Sequence, residues 1–113
     1  IELTLKRGIL GEAYNVGANA EVRNIEVAER IVDILGKPKE LIAFVQDRLG
    51  HDRRYALDCA KLHDLGWQPE QSFAAGLEKT VGWYRDNPEW WHKIKHQSEE
   101  FKRFHESYYK GRE

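Results

Sequence analysis

The densest set of chemically capable side chains lies in VQDRLGHDRRYALD, residues Val45–Asp58. Asp47, Arg48, His51, Asp52, Arg53 and Arg54 fall within eight positions there, with Leu49 and Gly50 between them. A guanidinium offers a planar fork of donors that matches phosphate or carboxylate oxygens two at a time, and it stays charged at any working pH. Gly50 permits a turn that brings Arg48 and His51 to one side of the backbone. Asp47 and Asp52 are placed to orient the arginines, which a plain basic patch would not require. Composition alone favours a plainer reading, a solvated turn whose surface ion pairs are each worth about 0–1 kcal/mol. Both readings stand at this point: an anion-binding element and a charged surface turn.

Other candidates are thinner. Asn24 precedes an apolar stripe and reads as a helix N-cap, and a helix N-terminus also attracts anions. His92 and His96 are four apart and share a helix face, but no third ligand follows at metal spacing, so a solvated pair is expected. Trp83, Tyr84, Trp90 and Trp91 could stack a base or a sugar, although packing in a core or between domains is the more usual role. Cys59 is the one cysteine. It excludes an intrachain disulfide, fits a reducing compartment, and is read as a small packing residue.

No catalytic set is visible. Gly8-x-x-Gly11 is followed by Tyr14 rather than a third glycine, and none of the five tyrosines has a lysine four residues later. A phosphate loop, a serine elbow and a paired metal box are also missing.

The elements that must position these groups follow from period and punctuation. Residues 1–7 read as the end of an amphipathic helix, closed at Gly8 by a left-handed cap. The pattern is already in progress at Ile1, so a portion of a longer polypeptide is expected. Gly11–Gly17 reads as a short strand, Leu41–Val45 as a second and Arg54–Leu57 as a third. Ile25, Ala28, Ile31, Val32 and Leu35 form a helical stripe after Asn24; Gly36 ends that helix and Pro38 prevents its restart. Lys61–Leu65 makes one turn closed by Gly66. Ser72 caps a long helix to Asn87, with Phe73, Leu77, Thr80, Val81 and Tyr84 at the 3.6 period and Pro88 as terminator. Residues 92–109 keep helical spacing through Ile94, Phe101, Phe104 and Tyr108. The expected fold class is α/β, with few short strands and three to four helices.

With 113 residues, 41% hydrophobic and 33% charged, the chain fits one small domain or part of a larger one. Its 18 basic and 19 acidic residues leave a formal net charge of −1. That balance gives no global field for nucleic acid or a membrane surface, so anion recognition must be local. No apolar run has the length of a transmembrane helix, and a soluble, cytoplasmic protein is expected.

Three stretches carry a family resemblance: GEAYNVGANAEVRNIEV, DRLGHDRRYALD and LGWQPEQSFAAGLEKTVGWYRDNPEWW. Together they resemble the carboxyl-terminal part of dTDP-glucose 4,6-dehydratases, members of the extended short-chain dehydrogenase/reductase family. The tail ending YYKGRE is similar too. The Leu-Gly-Trp and Thr-Val-x-Trp-Tyr features are shared among many nucleotide-sugar enzymes, whereas GHDRRYALD is narrower and points to these dehydratases.

The resemblance implies a substrate-binding subdomain over residues 1–113, with an NAD-binding Rossmann domain preceding it outside this chain. The complete enzyme would oxidise dTDP-glucose at C4, eliminate water across C5 and C6, and return hydride to C6. Its catalytic tyrosine, lysine and acid/base carboxylates match nothing here, so this portion alone is expected to be inactive and to bind no cofactor. Asn24, Asp47, Arg48, Leu49, Gly50 and His51 match substrate-contacting positions. Arg48 would hold the pyrophosphate, Asn24 and His51 would orient the substrate, and Tyr109 would approach it near the carboxyl terminus. A homodimer is implied, with its contacts mainly on the other domain. Leu49 stands where the family usually has proline, which implies a looser turn. Two other readings remain open: another extended short-chain enzyme such as a nucleotide-sugar epimerase, and a non-catalytic interaction domain.

Overall fold

The computed structural model describes residues 1–110, apart from the Tyr109 side chain. Six α-helices form among them. α1 is Glu2–Arg7, α2 is Asn24–Ile34, α3 is Ala60–Asp64, α4 is Phe73–Asp86, α5 is Pro88–His92 and α6 is Glu99–Tyr109. A 3-10 turn spans Lys39–Leu41, and a π-helical turn at Lys93–Gln97 joins α5 towards α6. No helix among the described residues is long and apolar enough to cross a membrane.

Expected helices α2 and α4 form as their periods suggest, whereas the expected 92–109 stretch is broken by the π-helical turn and restarts at the Ser98 cap. The Ser72 hydroxyl accepts the Ala75 N–H at 3.3 Å, satisfying one of the donors that an α-helix leaves free at its start. α4 then presents half-buried Phe73 and Leu77 and buried Val81 on one side. α2 packs against it, with Ile25, Ala28, Ile31 and Val32 half-buried and Leu35, expected in the same stripe, exposed. The Arg30 guanidinium lies 5.9 Å from the centre of the Phe73 ring, a cation–π contact across the same seam. Thr80 and Tyr84 fall outside that stripe: both are exposed, and the Thr80 hydroxyl donates to the Gly76 carbonyl at 2.8 Å.

Two of the three buried apolar residues among those described belong to α3 and its start. Cys59 and Leu62 are buried there, with Cys59 only 1% exposed. A Cβ on Gly17 would stand 3.0 Å from Cys59 Sγ, so glycine lets the two segments approach. Cys59 is thus the packing residue that its type suggests.

Several expectations are corrected. None of the three expected strands forms a ladder among the described residues; Gly11–Gly17, Leu41–Val45 and Arg54–Leu57 are not strands. The first and third do run near each other, but side chains join them. Asn15 Nδ2 donates to the Asp58 carbonyl at 3.1 Å, Lys61 pairs with Glu12, and Lys61 lies 4.9 Å from the Tyr14 ring centre. A lone pair of short strands is marginal in water, and alternation of apolar residues cannot report whether a partner edge is at hand. Leu41 belongs to the 3-10 turn instead, with Pro38 as its N-cap, so Pro38 introduces a short turn rather than forbidding one.

Gly8 closes α1, but not in the left-handed region: its φ is −70° and ψ 153°, and its N–H donates to the Thr4 carbonyl. Glycine is needed because a Cβ would meet Thr4 O at 2.4 Å. The first glycine along the chain with positive φ is Gly11, at +83°. Pro88 does not simply end α4; it opens α5 at the first helical position, where its missing N–H has no partner to lose.

Candidate functional site

Two segments far apart in the chain face each other across a cleft of about 540 Å³. One wall is residues 21–24, leading into α2; the other is residues 51–55, leaving the Gly50 turn. Asn24 and His51 therefore line one cleft, together with Arg53 and Arg54. Asp47, Arg48, Leu49 and Gly50 form the turn beside it and do not line it.

The turn is built from a few bonds. Gly50 takes φ +70°, and the His51 N–H reaches the Arg48 carbonyl at 3.4 Å. Asp47 Oδ1 accepts the Arg48 N–H at 2.8 Å and meets His51 Nδ1 at 2.6 Å. The hydrogen bond from His51 holds the Asp47 carboxyl below the ordinary carboxylate range; partial desolvation opposes this, and the Arg48 N–H adds to it. An ionised carboxylate only accepts, so the proton of this contact resides on His51 Nδ1 and leaves Nε2 as the open ring nitrogen. Leu49 is wholly exposed at 103%, and the turn closes without the family's proline.

The carboxylates do not orient the arginines as their spacing suggests. Asp47 serves His51 and a backbone N–H, and Asp52 accepts the Tyr55 hydroxyl at 2.7 Å. Arg54 instead meets Glu21 at 3.5 Å across the cleft, and Arg23 Nε meets Glu26 at 2.5 Å. Arg48 and Arg53 have no ion pair among the described residues, so their donors are open to a ligand. Glu21 and Arg23 were not singled out from sequence. Arg23 stands directly before Asn24, and that adjacency was the available signal.

Asn24 is also corrected. The N-cap is Arg23, at φ −67° and ψ 144°, and Asn24 is the first residue of α2 with no capping bond from its side chain. Relieved of the cap, the amide lines the cleft beside the N-terminus of an 11-residue helix. The expectation for Tyr109 rests on a side chain outside the described residues.

Other candidates stand apart. His92 and His96 have ring centres 4.3 Å apart, and no set of three metal-binding side chains gathers among the described residues. Trp83, Tyr84 and Trp90 form an edge-to-face trio with centres 5.2, 5.4 and 6.1 Å apart. They do not line the cleft, and all three keep substantial exposure.

The known proteins that the chain resembles include dTDP-glucose 4,6-dehydratases. The chain is 48% identical over 99 residues to dTDP-glucose 4,6-dehydratase of Neisseria meningitidis, covering 77% of this chain and 28% of that one. It is 49% identical over 100 residues to the enzyme of the same name from Xanthomonas campestris, covering 80% and 28%. The chain is thus similar to part of the dTDP-glucose 4,6-dehydratases, over most of its own length and a little over a quarter of theirs. A crystal structure of that enzyme from Bacillus anthracis, in complex with NAD, superposes with a TM-score of 0.72 at 44% identity, over 79% of this chain and 28% of its own. No family model matches the chain. The chain thus spans a little over a quarter of the length of these relatives.

Proposed function

We propose that this chain is the carboxyl-terminal, nucleotide-sugar-binding portion of a dTDP-glucose 4,6-dehydratase. The whole enzyme would convert dTDP-glucose to its 4-keto-6-deoxy product with NAD, as a cytoplasmic homodimer. The observation that carries the proposal is the convergence of Asn24 with His51 and Arg53 on one cleft, beside Arg48, which has no ion pair among the described residues. Their donors match a diphosphate: guanidinium forks for the non-bridging oxygens, with an amide and, once Nε2 is protonated, an imidazole N–H for orientation.

The division of labour follows from the residues. In this reading NAD is held by a Rossmann domain outside this chain. No redox or elimination step is therefore assigned to it. Its part is to hold the nucleotide diphosphate while the sugar is presented to groups elsewhere in the enzyme. Arg48 grips the pyrophosphate, Asn24 and His51 orient it, and Tyr109 approaches the sugar end. Asp47, Leu49 and Gly50 shape the turn that aims Arg48.

Binding of dTDP to the full-length protein tests this. Hydrogen bonds to charged groups are each worth about 1.5–3 kcal/mol. Arg48→Ala should therefore weaken dTDP roughly ten- to hundredfold, with little change in thermal stability. Unchanged affinity would remove Arg48 from the site and contradict the reading.

A further inference from the structure

Resting on the reading above, we propose that Asp47 is not a ligand contact but the positioning residue of His51, holding the ring by Nδ1 so that Nε2 is left to face the substrate diphosphate. The geometry is specific. One oxygen, Asp47 Oδ1, accepts both the Arg48 N–H at 2.8 Å and His51 Nδ1 at 2.6 Å, so the carboxylate is tied to the backbone on one side and to the imidazole on the other. His51 lines the cleft and Asp47 does not. A carboxylate would also be repelled by a diphosphate, so a direct contact would work against binding. Placed behind the ring, the same charge is useful. It keeps the proton on Nδ1 and fixes the ring plane, so that a proton taken up at Nε2 is the one donated to a phosphate oxygen.

Arrangements of this kind make two side chains act as a unit, and removing the rear member costs binding only while the front member is present. The test is a double-mutant cycle with dTDP titrated into the full-length protein and its Asp47→Ala, Asp47→Asn, His51→Ala and Asp47→Ala/His51→Ala variants. Asp47→Ala should weaken dTDP by about tenfold alone and by less than about twofold when His51 is already alanine, because coupled pairs are non-additive. Asp47→Asn, whose amide oxygen still accepts from Nδ1, should recover part of the loss. An equal loss from Asp47→Ala in both backgrounds would overturn the proposal, because Asp47 would then act without His51.

A second readout needs no ligand. The ring nitrogen shifts of His51, measured by NMR above its titration range, should report protonated Nδ1 in the unmutated protein. They should report a substantial Nε2–H population in Asp47→Ala. The same tautomer in both proteins would overturn the proposal. Failure of the unmutated protein to bind dTDP would contradict the proposed function instead, and the tautomer comparison would still decide the role of Asp47.

Discussion

At the scale of single residues, the Gly50 turn concentrates the account. Asp47 carries a lowered pKa whose first cause is the hydrogen bond from His51. The sign follows from linkage: a carboxylate more acidic in the folded chain contributes stability above its unfolded pKa and loses that contribution as pH falls through the folded value. The turn should therefore be fully formed at neutral pH and release His51 only in acid below the usual carboxylate range. Amide shifts of Gly50 and His51 followed through an acid titration check this; a turn that survives protonation of Asp47 unchanged would contradict it. Part of this detail was legible in sequence. A glycine between charged residues announces a turn, and the +70° φ of Gly50 is what that residue supplies. The partners were not legible. Asp47 and Asp52 sit beside arginines in sequence, yet the turn swings them to His51 and Tyr55, because a contact depends on where each side chain exits the backbone.

The helices show the same contrast at the scale of elements. α4 was readable from end to end because local chemistry determines it: the Ser72 cap, the 3.6 period through Phe73, Leu77 and Val81, and Asn87 at its close. Replacing Ser72 with alanine should cost about 1 kcal/mol, the usual worth of a capping hydroxyl. Thermal unfolding of the full-length Ser72→Ala protein measures it, and Ser72→Asp should restore most of the loss. No change for alanine would show that the 3.3 Å bond to Ala75 contributes nothing. The expected strands failed for a non-local reason. Leu41–Val45 and Arg54–Leu57 carry suitable residues, but a strand exists only where another edge accepts its hydrogen bonds, and no period within one segment reveals that edge. Proline misled for a related reason. Pro38 and Pro88 each mark a boundary, and the sequence does not say on which side of it the next helical turn begins.

On the scale of the whole molecule, the described chain is extended rather than closed on itself. Its radius of gyration is 18.6 Å, against about 13 Å for a compact domain of 100 residues. Only Cys59, Leu62 and Val81 are buried apolar residues among those described, while Leu10 and Phe44 stand 99% and 88% exposed. Surface of that kind is stabilised by about 25 cal/mol per Å² when covered, and the chain spans about a quarter of the length of its relatives. The cleft itself is a whole-molecule feature: Asn24 and His51 are brought together by the path of the chain, which no motif spacing encodes. Family resemblance pointed to both residues. Geometry then placed Arg53 and Arg54 beside them and moved Arg48 to the adjoining turn.

The most direct measurement compares turnover of dTDP-glucose by the full-length protein with that by the isolated 113 residues. Release of the 4-keto-6-deoxy product by the full-length protein, and none from the isolated segment, is the predicted result. Product formed by the 113 residues alone, or none formed by the full-length protein supplied with NAD, would contradict the account.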